Sequence, residues 1–193
     1  VNKVIAILAM VLGVQANAGV IVEPFVGYDQ STLKTTTTAG ASDGSTNSGL
    51  DYGARLGYRF NQGFWVAAEY AGGSGKSKSD TAGVEDSDYS KSAMGAVFGY
   101  STGRWNFWGG YGFSDTITVK QSGAADMDIT GTNLKVGAGF RAASNVSVNL
   151  EYIMPKYTKI KASGMEFDVD SIYSKFDTSG AMLSVSFPFD LTK

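Results

Sequence analysis

A chain of 193 residues with 25 glycines, 12% aromatic residues and a formal net charge of -2 is sized for one domain and has no basic field to draw nucleic acid. It holds no cysteine, which excludes disulfides and thiolate metal centres, and no histidine, which removes the commonest general base and metal ligand. Hydrolytic mechanisms of the Ser-His or Asp-His kind are thereby excluded.

Lys3, the apolar run Val4 to Val14 and the small-x-small triplet Ala16-Asn17-Ala18 predict a cleavable secretory signal peptide over residues 1–18. The run is too short for a membrane helix, which needs about 20 residues. Residues 19–193 are expected to form a single exported domain. Beyond residue 18 the pattern is period two rather than helical.

The first alternating segment, Val20 to Asp29, sets Val20, Val22, Val26 and Tyr28 against Ile21, Glu23, Phe25, Gly27 and Asp29, with Pro24 marking a bulge or a place needing no ladder donor. Leu50 to Phe60 and Phe64 to Ala71 flank the turn signal Asn61-Gln62-Gly63, and a turn centred on Gln62 places Arg55 opposite Glu69. Further segments cover about Lys91 to Tyr100, Trp105 to Ile117, Thr132 to Ala142, Val146 to Tyr157 and Ser179 to Leu191. Each is near the roughly 9–11 residues with which a tilted strand crosses a hydrocarbon layer.

Connections between segments alternate in length. Asn61 to Gly63, Ser101 to Arg104 and Ala143 to Asn145 are short; Gln30 to Gly49, Gly73 to Ser90, Ser114 to Gly131 and Thr158 to Thr178 are long and rich in Ser, Thr, Gly and Asp. Long structureless loops argue against a compact soluble domain but belong to a barrel with turns on one side of a membrane and loops on the other. Ile117 to Lys120 and Met165 to Val169 alternate enough to extend strands into those loops. The expected fold is all-β: an eight-stranded antiparallel up-and-down transmembrane β-barrel with four long extracellular loops and short periplasmic turns.

Aromatic positions agree with that orientation. Tyr28, Tyr52, Tyr70, Tyr111 and Tyr152 fall towards the long-loop end of the apolar face, and Phe60, Phe64, Tyr100, Phe107, Phe140 and Phe189 towards the short-turn end. Two such belts suit two membrane–water interfaces. The opposite face is mostly Gly, Ala, Ser and Asn with about one charge per strand. Its charged residues Glu23, Asp51, Arg55, Arg59, Glu69, Lys135, Arg141 and Glu151 are expected to fill the lumen as an ion-pair network, because an eight-stranded barrel is only wide enough for side chains.

On its leader, eight alternating segments, short turns, long loops and the closing strand Val185-Ser186-Phe187-Pro188-Phe189, the chain resembles the small eight-stranded bacterial outer-membrane barrels of the OmpA transmembrane, OmpX and opacity-protein kind. The resemblance implies a monomer in the bacterial outer membrane, in contact with its lipid and lipopolysaccharide, with loops free to meet a host or environmental ligand. No cofactor or metal is expected. Gly72-Gly73-Ser74-Gly75-Lys76-Ser77 lacks the leading glycine of a phosphate loop and no helix follows it, while the acidic clusters Glu85 to Asp88, Asp126 to Asp128 and Asp168 to Asp170 lack EF-hand spacing. The expected role is non-enzymatic: a structural anchor displaying surface loops for adhesion, antigenicity or membrane integrity. A narrow pore for small solutes and a soluble lipocalin-like periplasmic binder are the competing readings.

Overall fold

The computed structural model describes residues 19–60, 62–81, 83, 85–120 and 125–192. Residues 1–18, read above as a signal peptide, Asn61 of the first turn and Lys193 lie outside the described residues. The long strands are β1 (Gly19–Thr37), β2 (Ser42–Arg59), β3 (Phe64–Ser79), β4 (Ser87–Thr102), β5 (Trp105–Lys120), β6 (Met127–Ala143) and β7 (Val146–Ala162). The short β8 (Met165–Asp168) and a helical turn α1 (Val169–Ile172) lead into β9 (Tyr173–Ser186) and β10 (Phe189–Asp190).

From β1 to β8 each strand pairs antiparallel with the next, and β9 pairs with both β7 and β1, so the sheet closes into a ring of eight. β9 and β10 together form the eighth stave. The ladder to β1 runs up to Phe25↔Ser186, breaks, and resumes at Val22↔Phe189. Pro24 and Pro188, neither able to donate a ladder hydrogen bond, sit on the two sides of that break, and Phe187 N–H donates across it to the Pro24 carbonyl at 2.9 Å. Closure leaves no sheet edge exposed along the wall.

Strands of 14 to 19 residues exceed what crosses a bilayer, because much of the four long connections continues as strand. Ser31 to Thr36 pairs with Ser42 to Asn47, for example, leaving a tip of only a few residues. At the other end, Gly63 closes the β2–β3 turn with φ of 85°, a left-handed value that favours glycine, and fixes Arg55 opposite Glu69.

Side chains alternate between wall and lumen except where a strand bulges. Leu50, Leu56, Phe98, Leu134, Leu150 and Leu183 are among the large apolar residues facing outward, each more than half exposed, whereas Glu23, Asp51, Arg55, Glu69 and Glu151 are buried inside. A broad apolar exterior around a charged interior is stable only where the surrounding solvent is hydrocarbon. Among the described residues no helix is long and apolar enough to cross a membrane; the strands do it. Tyr28, Tyr52, Tyr70, Tyr111 and Tyr152 face out on one level, and Phe64, Tyr100, Phe107 and Phe189 on another, with Phe60 and Phe140 half-buried at the short-turn rim.

Arginine at an outward midplane position should destabilise the barrel steeply. Leu56→Arg, midway along β2 between Tyr52 and Phe60, is expected to lower the unfolding free energy in liposomes by about 2–4 kcal/mol, while Thr32→Arg, outward but above the tyrosine level, leaves it unchanged; urea titration in lipid vesicles checks both.

Candidate functional site

The lumen is built from inward residues of all eight staves and is organised in tiers. Nearest the short turns, Ile21, Trp65, Ala67, Val97 and Trp108 form an apolar floor. The two indoles lie flat on glycines of the neighbouring strands: a Cβ at Gly99 would run into the Trp65 ring, and one at Gly137 into Trp108. Small inward residues thus make room for a few large ones. Trp65 Nε1 donates to Asn106 Oδ1 at 2.9 Å, which satisfies that indole.

Above the floor, Arg55 occupies the centre and is completely buried. Its Nε donates to Glu69 Oε2 at 2.8 Å, its Nη2 donates to Glu151 Oε1 at 2.7 Å, and its Nη1 lies 3.8 Å from Glu23 Oε1. Lys135 Nζ bonds the other oxygen of Glu69 and stands 3.7 Å from Glu151. Ser186 donates to Glu23 at 2.5 Å and Asn149 donates to Ser186 at 2.9 Å. The guanidinium also sits over the Trp108 and Phe25 rings, at 4.9 and 5.2 Å. One planar cation with five donors therefore ties β2 to β1, β3 and β7 across the barrel.

A second tier follows. Lys91 Nζ is 2.7 Å from both Asp29 and Asp51, and Asp115 accepts from Asn133 Nδ2 at 2.8 Å. A cavity of about 60 Å³ opens between these groups. Over it, Ile129, Tyr157, Ile160 and Val169 form an apolar cap, backed by Ile172, Tyr173 and Phe176. β7 leaves β9 above Ile153, and β8 with α1 folds over the upper lumen there, burying Val169.

Of the eight charged residues expected in one lumen network, the structure brings Glu23, Arg55, Glu69, Lys135 and Glu151 together and places Asp51 in the separate tier with Lys91. Arg59 and Arg141 do not join either tier. They lie at the short-turn ends of β2 and β6, Arg59 in register with Trp65, and with Arg104 and Asp190 they line an open basin of about 640 Å³ at the mouth, while a narrow pocket connects them to Glu23.

The residues missed have traceable causes. Asp29 and Lys91 are end residues of the alternating segments and carry the inward parity of their strands, so the pattern already places both in the lumen. Asp115 was hidden by a bulge: the β4–β5 and β5–β6 registers shift around Phe113 and Ser114, both of which face out, and the phase beyond them flips. Among the described residues no cluster of three or more carboxylates is placed to hold a metal ion.

The sequence profile described as "Outer membrane protein beta-barrel domain" matches residues 4–189. No curated protein matches the chain in sequence. Among solved structures, Ail, the attachment invasion locus protein of Yersinia pestis, in complex with the heparin analogue sucrose octasulfate, is 15% identical with a TM-score of 0.58, over 89% of this chain and 99% of its own. The outer membrane protein OprG from Pseudomonas aeruginosa is 12% identical with a TM-score of 0.55, over 92% and 99%. Neisserial surface protein A is 16% identical with a TM-score of 0.50, over 86% and 97%. At these identities the likeness is one of fold.

Removing the central cation leaves three buried glutamates with the single ammonium of Lys135. Arg55→Met is expected to cost about 3–5 kcal/mol, whereas Arg141→Met at the open mouth costs far less; the two urea midpoints, compared in one lipid, check the difference.

Proposed function

The chain belongs to the outer membrane protein β-barrel family and resides in the bacterial outer membrane, and from that premise we propose a non-enzymatic anchor that displays its hairpins at the cell surface and conducts nothing through its lumen. The observation that carries this reading is the filling of the lumen at two heights, by the tryptophan floor and the Arg55 cluster, with the apolar group around Tyr157 above them. The cavity of about 60 Å³ in the second tier has room for a few waters at roughly 10–15 Å³ each; a wider space of about 220 Å³ that shares Asn47, Tyr89, Tyr157 and Thr178 with it lies towards the hairpins, and the Arg55 cluster and the tryptophan floor stand beneath both. The absence of histidine and cysteine from the whole sequence supports the non-enzymatic part, since the usual activated nucleophiles are missing.

The extended strands supply the surface. Above the tyrosine level Lys34, Lys76, Lys78, Lys120, Lys156, Lys159, Lys161 and Lys175 are all exposed on the outer side of the wall, none turned into the lumen. Lys76 pairs with Asp88 at 2.8 Å, Lys159 with Glu166 at 2.8 Å and Lys175 with Asp177 at 3.1 Å; hydrogen bonding to Asp88 raises the Lys76 amine above its ordinary value, so the pair stays charged at neutral pH. Lys34, Lys78, Lys120, Lys156 and Lys161 stand at the height where lipopolysaccharide phosphates surround such a wall, and their charge suits those phosphates. The hairpin tips carry Asp43, Asp80, Glu85, Asp86 and Asp126, all exposed. Ail was crystallised with a polyanionic heparin analogue; an acid-rich rim repels such a ligand, so the tips of this chain suit a neutral or cationic partner.

In planar bilayers the intact barrel is expected to show no steady unitary conductance, and reproducible large channel openings would overturn the anchor reading. On the same protein, Lys156→Gln together with Lys161→Gln is expected to weaken association with lipopolysaccharide, read by co-migration on native gels, without changing the folded fraction.

A further inference from the structure

The upper tier of the lumen carries more negative charge than it can neutralise. Asp29 and Asp51 share the single ammonium of Lys91, and Asp115 is held by a neutral amide. No charge is spare next door, because in the tier below Arg55 and Lys135 face three glutamates, Glu23, Glu69 and Glu151. The arginines at the short-turn mouth reach no higher than Glu23, with which Arg59 and Arg141 share a narrow pocket, and the cap above is apolar. In the upper tier three buried carboxylates thus meet one ammonium, and uncompensated charge in a low-dielectric interior is costly.

The same place holds oxygens with nothing to bind. Asp51 Oδ1, Asn47 Oδ1, Asn133 Oδ1, the Tyr89 hydroxyl and the Thr178 hydroxyl have no hydrogen-bond partner, and all five residues line the one cavity of about 60 Å³. Asn47, Asp51, Tyr89 and Asn133 are each more than nine-tenths buried. A proton would neutralise one charge and satisfy one oxygen. Water would satisfy several oxygens and neutralise nothing. A small cation does both at once.

We propose that this cavity is a binding site for one partly dehydrated alkali-metal cation, ligated by Asp51 Oδ1 and the neutral oxygens of Asn47, Asn133, Tyr89 and Thr178. The donor set is all hard oxygen with a single free carboxylate oxygen, which fits a monovalent ion; a divalent ion wants several carboxylates or keeps a full water shell, and soft transition metals want nitrogen or sulfur. The ion links β2, β4, β6 and β9, adding β4 to the staves that the Arg55 cluster joins, so it acts as a second brace across the upper barrel.

The test uses the full barrel refolded in zwitterionic detergent, with urea unfolding at one ionic strength in lithium, sodium, potassium, caesium and choline chlorides. One or two of the alkali ions are expected to stabilise it in a saturable way, shifting the folding equilibrium about tenfold over choline when present at about ten times the dissociation constant. Asp51→Asn should abolish the difference between ions. Identical midpoints in all five salts would overturn the site, as would stabilisation by acid that ignores the cation, which assigns the missing charge to a proton. Should Asp51→Asn fail to refold, crystals of the unmodified barrel grown with thallium(I) decide: an anomalous peak between Asp51 and Asn133 supports the site, and its absence overturns it. Neither result depends on whether the barrel conducts, so the anchor reading stands or falls separately.

Discussion

A closed ring of eight strands has an interior that must be filled, and filling it with charge works only if every charge is answered. Arg55 is the residue on which this depends. Its guanidinium is flat, permanently charged and forked, so it can hold Glu69 and Glu151 by direct hydrogen bonds while attracting Glu23. Lysine in its place would present a point charge to three separate walls and leave directions unmet. The cluster also sets register, because sliding any of these strands by one residue would carry a glutamate from the lumen to the lipid side.

The apolar layers on either side of the cluster make that arrangement tenable. Trp65 and Trp108 close it from below, and the Trp108 face also stacks on the guanidinium, so the floor contributes attraction as well as exclusion. Tyr157, Ile160 and Val169 close it from above. With water excluded, each ion pair is stronger and each unpaired group more costly. On the proposed reading this is what makes the interior a plug, and it is why a polar cavity ringed by unpartnered oxygens stands out there.

Outside, the logic is reversed by height. Aliphatic residues and two aromatic levels cover the part that meets acyl chains, and above the tyrosines the wall changes abruptly to lysine, serine and threonine. The barrel nonetheless continues upward as paired strand, so the surface it offers is a set of stiff hairpins with short tips. Rigid, short-tipped hairpins lose less entropy on binding a partner than free loops of the same length.

Much of this was legible in the sequence because a strand's period of two leaves no freedom: once the apolar parity of Leu50 to Phe60 is read, the inward placement of Asp51 and Arg55 follows, and the glycine of the Gln62 turn settles Glu69 as the partner. The same parity marks Glu23, Lys135 and Glu151 as inward. Pairing across the barrel is a different matter. Arg55 meets Glu151 at a separation of 96 residues, and Lys91 meets Asp29 and Asp51, through curvature and closure that no local pattern encodes. Asp115 turned inward only because a bulge beside Phe113 reset the alternation, and Arg59 and Arg141 fell out of the network because inward parity says nothing about height along the axis. Sequence periodicity determined the inside and the outside of this protein, since facing is a local property of the pleat; the closed three-dimensional sheet alone decided which inward charges share a tier, since that is fixed by where distant staves come level with one another.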